Sequence, residues 1–154
     1  MRVALTFLSL VFGALLPLAA QNSVTGIRPL VFGTVFPGVA KVVLRTDPVN
    51  SGQFNLRGGR RGVVQLTFTL PASMAGPAGA TLPLVFGAND AGYSPTQSVG
   101  NQTVSWDPRT PQNVTLSNTN PGRGSVFLGG SANPAVSQRA GSYTGTVTLS
   151  VVFF

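Results

Sequence analysis

Tyr143-Thr144-Gly145-Thr146-Val147-Thr148-Leu149-Ser150-Val151-Val152-Phe153-Phe154 is the stretch on which the fold turns. Tyr143, Gly145, Val147, Leu149, Val151 and Phe153 fall on one side of a period-two pattern, and Thr144, Thr146, Thr148, Ser150, Val152 and Phe154 on the other, the last residues blurring it. Successive side chains of a β-strand point to opposite faces of a sheet, so this alternation predicts a strand with its first set turned toward an apolar interior. Residues 63–70 repeat the pattern, with Val64, Leu66, Phe68 and Leu70 inward and Gln65, Thr67 and Thr69 outward. Pro71 stops that strand because it lacks the N–H a ladder requires. Residues 39–46 read the same way, with Ala40, Val42 and Leu44 opposed to Lys41 and Arg45.

Weaker strand signals occupy residues 30–35, 53–56, 81–86, 102–106, 113–116 and 125–128. Turn-forming clusters separate them, among them Asp47-Pro48-Val49-Asn50-Ser51-Gly52 and Asn118-Thr119-Asn120-Pro121-Gly122. No helical period runs through the chain. Eight or nine short strands at this spacing predict an all-β domain, an immunoglobulin-like two-sheet antiparallel β-sandwich, with a closed barrel as the competing architecture. Residues 72–80, rich in small side chains, read as a mobile loop. No repeat organises the chain.

The amino-terminal residues belong to a different physical class. Met1-Arg2 is a short basic start, residues 3–18 are almost wholly apolar, and Pro17-Leu18-Ala19-Ala20 ends in small residues ahead of polar Gln21. This is the plan of a secretory signal peptide at residues 1–20, leaving one domain at residues 21–154. The apolar run is shorter than the roughly 20 residues of a membrane-spanning helix, so the mature form is expected to have no membrane span. Nine Arg and Lys then stand against Asp47, Asp90 and Asp107, a formal charge of +6, with no Glu. Cysteine is absent, so this exported domain must hold together through its apolar core.

The residue inventory disfavours catalysis. His, Cys and Glu, the usual general bases, nucleophiles and transition-metal ligands, are all missing. Each of the three Asp sits in turn-like sequence, beside Pro or near Gly, where its carboxylate is expected to cap its own turn. No catalytic, cofactor or metal site is therefore predicted. Arg57-Gly58-Gly59-Arg60-Arg61 is the densest charge cluster, and Arg57, Arg60 and Arg61 are candidate ligands for an anionic surface glycan. A single such cluster without aromatic platforms does not point to nucleic acid. Trp106 and Tyr93 suit stacking on sugars, but isolated aromatics in a sandwich more often pack in the core.

Several segments resemble a known family. Leu30-Val31-Phe32-Gly33, Phe54-Asn55-Leu56-Arg57-Gly58, Leu66-Thr67-Phe68-Thr69-Leu70-Pro71, Gly129-Gly130 and Gln138-Arg139-Ala140-Gly141-Ser142-Tyr143-Thr144-Gly145-Thr146 follow the order seen in the Domain of Unknown Function 4402 family of secreted bacterial proteins. That family is similar to spore-coat-U-type domains, which include subunits of archaic chaperone–usher pili. Gly141 stands fourteenth from the carboxyl end and Phe153 is a penultimate aromatic, the places these residues take in pilin subunits. The resemblance implies that Gly141, Tyr143, Val147, Leu149, Val151 and Phe153 meet a partner strand, from a periplasmic chaperone or a homologous subunit. The chain departs from a polymerising pilin in its arm. Residues 21–28 are few, do not alternate cleanly and run into Pro29, and at roughly 3.3 Å per residue they reach only about 26 Å.

The sequence thus predicts an exported, non-catalytic structural or adhesive subunit of the periplasm, outer cell surface or a fimbrium. Its alternative is a self-complete monomeric module binding an anionic glycan. Intact-mass measurement of the exported protein should give a chain starting at Gln21; a mass retaining residues 1–20 would refute the signal-peptide assignment.

Overall fold

The computed structural model describes residues 22–154, so the expected signal peptide lies outside the described residues. Twelve strands follow one another: β1 (Ser23–Arg28), β2 (Lys41–Val43), β3 (Gly52–Gly58), β4 (Val63–Thr69), β5 (Ser73–Ala75), β6 (Thr81–Val85), β7 (Ala91–Ser94), β8 (Val104–Trp106), β9 (Gln112–Thr115), β10 (Gly122–Leu128), β11 (Gly130–Ala132) and β12 (Thr148–Phe153). The all-β expectation holds, with more and shorter strands than the periodicity alone suggests. β4 shows why. Val64 and Leu66 are fully buried and Phe68 nearly so, while Val63, Thr67 and Thr69 are exposed, as strict alternation requires.

All pairings are antiparallel. A five-stranded sheet in the order β1-β3-β10-β7-β8 faces a three-stranded sheet, β12-β4-β9. A further sheet, β2-β11-β6-β5, continues that second layer through a bridge between Ala75 and Thr144. The main core joins Leu56, Tyr93, Trp106, Val126 and Leu128 of the first layer to Val64, Leu66, Phe68 and Val114 of the second. Phe68 lies stacked near Trp106 at 6.5 Å and meets Phe54 edge-on at 6.0 Å. A smaller cluster of Phe32, Val43, Leu82 and Ala132 packs beneath β2, β6 and β11. The chain passes from one layer to the other at Gly129, where a β-carbon would collide with the backbone of residues 43–45.

Four expectations are revised. Residues 39–46 contribute only the short β2, and the face is inverted: Val43 is 3% exposed, Val42 56% and Leu44 62%. β2 pairs with β11 alone and the chain turns at once, Asp47 N–H donating to the Leu44 carbonyl at 3.0 Å, so no second row of that alternation finds a core. Residues 30–35 are not a strand; they plug Phe32 into the smaller cluster. Residues 72–80 are no simple loop, because they contain β5. The final strand begins at Thr148, its preceding residues crossing to β5 through Thr144 instead of continuing the β4 ladder.

Tyr93 ties the layers together. Gly124 leaves room for its ring on β10, and its hydroxyl crosses the core to donate to the Thr115 carbonyl of β9 at 2.8 Å. Burial raises its pKa to about 12 from an ordinary 10. The folded state therefore favours the neutral phenol, and this stabilisation is complete below pH 10 and lost as pH rises through about 12. Chemical unfolding followed from pH 9 to 12 should show stability falling across that window. Tyr93→Phe should cost about 1 kcal/mol at neutral pH and flatten the alkaline fall. An alkaline fall of unchanged depth in the variant would remove Tyr93 as its source.

Candidate functional site

The two ends of the sandwich edge differ. On one side β8 and β9, the outer strands of the two layers, are joined by residues 107–111, which close that flank. Asp107 caps this crossing: its carboxylate accepts from the Arg109 N–H at 2.9 Å and pairs with the guanidinium at 2.7 Å. On the other side β1 and β12 are both edge strands and do not pair with one another. At the head of this seam, between the end of β1 and the residues that lead into β12, lies a groove of about 400 Å³, lined among others by Ile27, Leu30, Phe54, Met74, Phe86 and Val147.

β12 is the wall of this seam. Leu149, Val151 and Phe153, with Val147 just before them, turn toward the core but remain half-buried, whereas their β4 counterparts Val64 and Leu66 are sealed. Their alternation is that of the sequence; their incomplete burial follows from the place of β12 at the edge of its sheet, with β4 as its one paired neighbour among the described residues. The direction of the backbone groups follows from one bond, Phe154 N–H to the Val63 carbonyl at 3.0 Å. Antiparallel pairing alternates, so residues 148, 150 and 152 also point their N–H groups at β4, and those of 149, 151 and 153 point into the open seam. A half-buried apolar row and a backbone edge unpaired among the described residues thus share one strand.

β1 flanks the seam on the opposite layer, paired to β3 from Ser23 opposite Arg57 to Arg28 opposite Gln53. Its residues carried no clean alternation, and the structure explains why: neither face is covered, Val24 and Ile27 both standing exposed. Arg28 anchors its end, donating to the Ser51 carbonyl at 2.7 Å and the Ser51 hydroxyl at 2.9 Å. The segment read as a short arm is therefore held by its own sheet.

Gly141 and Tyr143 lie outside β12. Gly141 adopts φ +146° against Pro77, a conformation that side chains rarely take. The Tyr143 ring covers Gly76, and its hydroxyl donates to the Arg139 carbonyl at 2.7 Å and accepts from the Gln138 amide at 2.6 Å. Thr144 then exchanges backbone hydrogen bonds with Ala75 at 2.7 and 2.9 Å. Residues 141–145 form a strap that delivers the chain into β12, a role that the residue pattern alone does not reveal.

The arginine cluster is divided. Arg57 projects from the outer face of β3, while Arg60 and Arg61 sit on the following turn, Arg60 donating to Asn118 at 2.6 Å. The three carboxylates cap turns as their sequence context predicts. Asp47 accepts from the Val49 and Asn50 N–H groups at 2.8 and 2.9 Å, and Asp90 from the Gly87 N–H at 2.6 Å. The Asn50 side chain, then the backbone donors, hold the Asp47 carboxyl below its ordinary range. Trp106 and Tyr93 are buried, which removes them as sugar platforms. Among the described residues no helix is long and apolar enough to cross a membrane. Fold and site together define an antiparallel β-sandwich with one open flank. No protein-family model and no curated protein matches the chain.

The strap carries its own test. Three Tyr143 ring atoms lie 2.8 Å or less from where a β-carbon on Gly76 would stand. Gly76→Ala should displace the ring and lower stability by about 2 kcal/mol, with faster hydrogen exchange at Thr144 and through β12. Unchanged exchange there would show that Tyr143 does not set the position of the last strand.

Proposed function

We propose that the chain is a non-catalytic, exported surface subunit that works by accepting a partner strand along the β12 edge. The observation that carries this reading is the coincidence on β12 of N–H groups at 149, 151 and 153 that are unpaired among the described residues with a half-buried apolar row, Val147, Leu149, Val151 and Phe153, whose first member also lines an apolar groove. A strand laid in that seam would gain main-chain hydrogen bonds from the edge and seat alternate side chains against the half-buried row. An edge strand left open in this way is a standing invitation to pairing, which proteins otherwise blunt with charge or proline; β12 has neither.

The resemblance to pilin-type domains supplies the partner class, a periplasmic chaperone or a homologous subunit. The fixed position of β1 favours the accepting role over the donating one, since donation by residues 21–28 would first require peeling β1 from β3. The absence of His, Cys and Glu, together with three Asp engaged in turns, favours contact over chemistry.

Proline separates the partner edge from the internal one. Val151→Pro deletes an N–H that faces the seam, whereas Val152→Pro deletes one bonded to β4. With a saturating peptide of alternating apolar residues, at about 100 times its Kd, the native protein should melt roughly 8 °C higher. Val151→Pro should fold but show no such rise; Val152→Pro should be destabilised outright. A native protein whose melting ignores every such peptide, or a Val151→Pro variant that responds fully, would refute strand acceptance at this edge.

A further inference from the structure

The outer face of the five-stranded sheet holds an arrangement that strand capture does not use. Arg57 on β3 stands directly opposite Arg123 on β10, and Ser23 of β1 stands opposite Arg57 on its other side. One row along, Thr25, Asn55 and Ser125 repeat the three-strand alignment. Both arginines are exposed on the same face. Like charges directly opposite one another across a ladder are destabilising, and side chains so placed have β-carbons only about 5 Å apart.

Among the described residues no carboxylate pairs with either arginine. There is no Glu, and Asp47, Asp90 and Asp107 are each committed to a turn elsewhere. The one ion pair among the described residues is between Arg109 and Asp107. Arg60 donates to Asn118, but neither the Arg57 nor the Arg123 guanidinium donates to a described residue. The pair instead borders a concavity of about 350 Å³ whose wall also includes Ser23, Thr25, Asn55 and Gln97. Gln97 holds the left-handed conformation at φ +61°, strained for a residue with a side chain, and this turn brings it to the concavity.

We infer that Arg57 and Arg123 form an anion clamp for an acidic saccharide unit, a sugar carrying a carboxylate or phosphate. The two guanidinium groups supply paired donors of the geometry that grips a planar or tetrahedral oxyanion. The hydroxyl and amide groups of Ser23, Thr25, Asn55 and Gln97 match the hydroxyls that flank such a group on a sugar ring. No aromatic side chain lines the concavity, so a stacked nucleobase has no platform there. This assignment replaces the sequence-based grouping of Arg57 with Arg60 and Arg61: the partner of Arg57 lies 66 residues away in sequence and beside it across the ladder. The site is separate from the β12 seam, and it stands or falls independently of strand acceptance.

Charge-matched variants provide the test. Arg57→Gln/Arg123→Gln and Arg60→Gln/Arg61→Gln each remove two positive charges, so they differ only in position. Binding of trigalacturonate, its methyl ester and glucose 6-phosphate is measured by calorimetry at fixed ionic strength. The native protein should bind at least one of the two acidic probes and not the neutral ester, and the tighter one identifies carboxylate or phosphate as the preferred group. The 57/123 variant should bind at least about tenfold more weakly, as expected for loss of charge-assisted hydrogen bonds. The 60/61 variant should stay within about twofold. Because removing the opposed charges relieves repulsion, the 57/123 variant should melt no lower than the native protein in probe-free buffer. Equal weakening by both variants would reduce the effect to net charge, and absence of binding by both acidic probes at millimolar concentration would overturn the clamp.

Discussion

The sealing of Val64, Leu66 and Phe68 of β4 against Leu56 and Val126 of the facing sheet is the contact on which the rest of the molecule depends. There is no cysteine to staple the layers and no group of His, Cys, Asp or Glu among the described residues that could hold a metal ion. Burial of apolar area must therefore supply nearly all the stabilisation, at roughly 1.5–3 kcal/mol for each large side chain removed from water. β4 is central in its sheet, with β12 on one side and β9 on the other. The strand that sits deepest is consequently also the strand that presents β12 to solvent, and the position of the open edge is inherited from the core.

That dependence explains which parts of the fold were readable in the residues. β4 and β12 alternate, Val63 and Val152 apart, because each has one face toward the core and one on water, the condition under which period two is visible. β7 could not be found this way: Ala91, Gly92, Tyr93 and Ser94 are all buried, so hydrophobicity does not alternate along it. β1 failed for the opposite reason, being exposed on both faces. β5 and β11 are three residues each, too short for a period to establish itself. In residues 39–46 alternation was present but had no core to act on, and tertiary packing chose Val43 instead. The inward row at Val147, Leu149, Val151 and Phe153 was likewise legible, but its half-burial was not, because exposure there is set by the place of β12 at the edge of its sheet, which no window of sequence contains.

The charged residues divide along the same physical line. All three Asp act locally, within three residues of themselves, and local hydrogen bonding leaves a sequence signature beside Pro, Asn and Gly. Arg57 and Arg123 act across a ladder, and their adjacency depends on the register of β3 with β10, which no short window of sequence contains. A compositional reading therefore sees Arg57 with Arg60 and Arg61, where the folded chain separates them.

Strand edge and arginine face also differ in how they bear their physical cost. An unpaired edge of β12 leaves backbone groups to water and apolar side chains half-wet, a condition relieved by any segment with matching alternation. Opposed guanidinium groups on an otherwise polar face are relieved only by negative charge, and solvent ions screen them without filling the geometry between them. The first feature selects for backbone and shape, the second for charge and oxygen donors. Because β1 contributes to both, Gly26 and Arg28 to the groove and Ser23 and Thr25 to the arginine face, a strand that displaced β1 would dismantle one wall of the anion clamp. Acceptance of a partner strand beside β12, with β1 left in place, is the arrangement in which both surfaces remain usable at once.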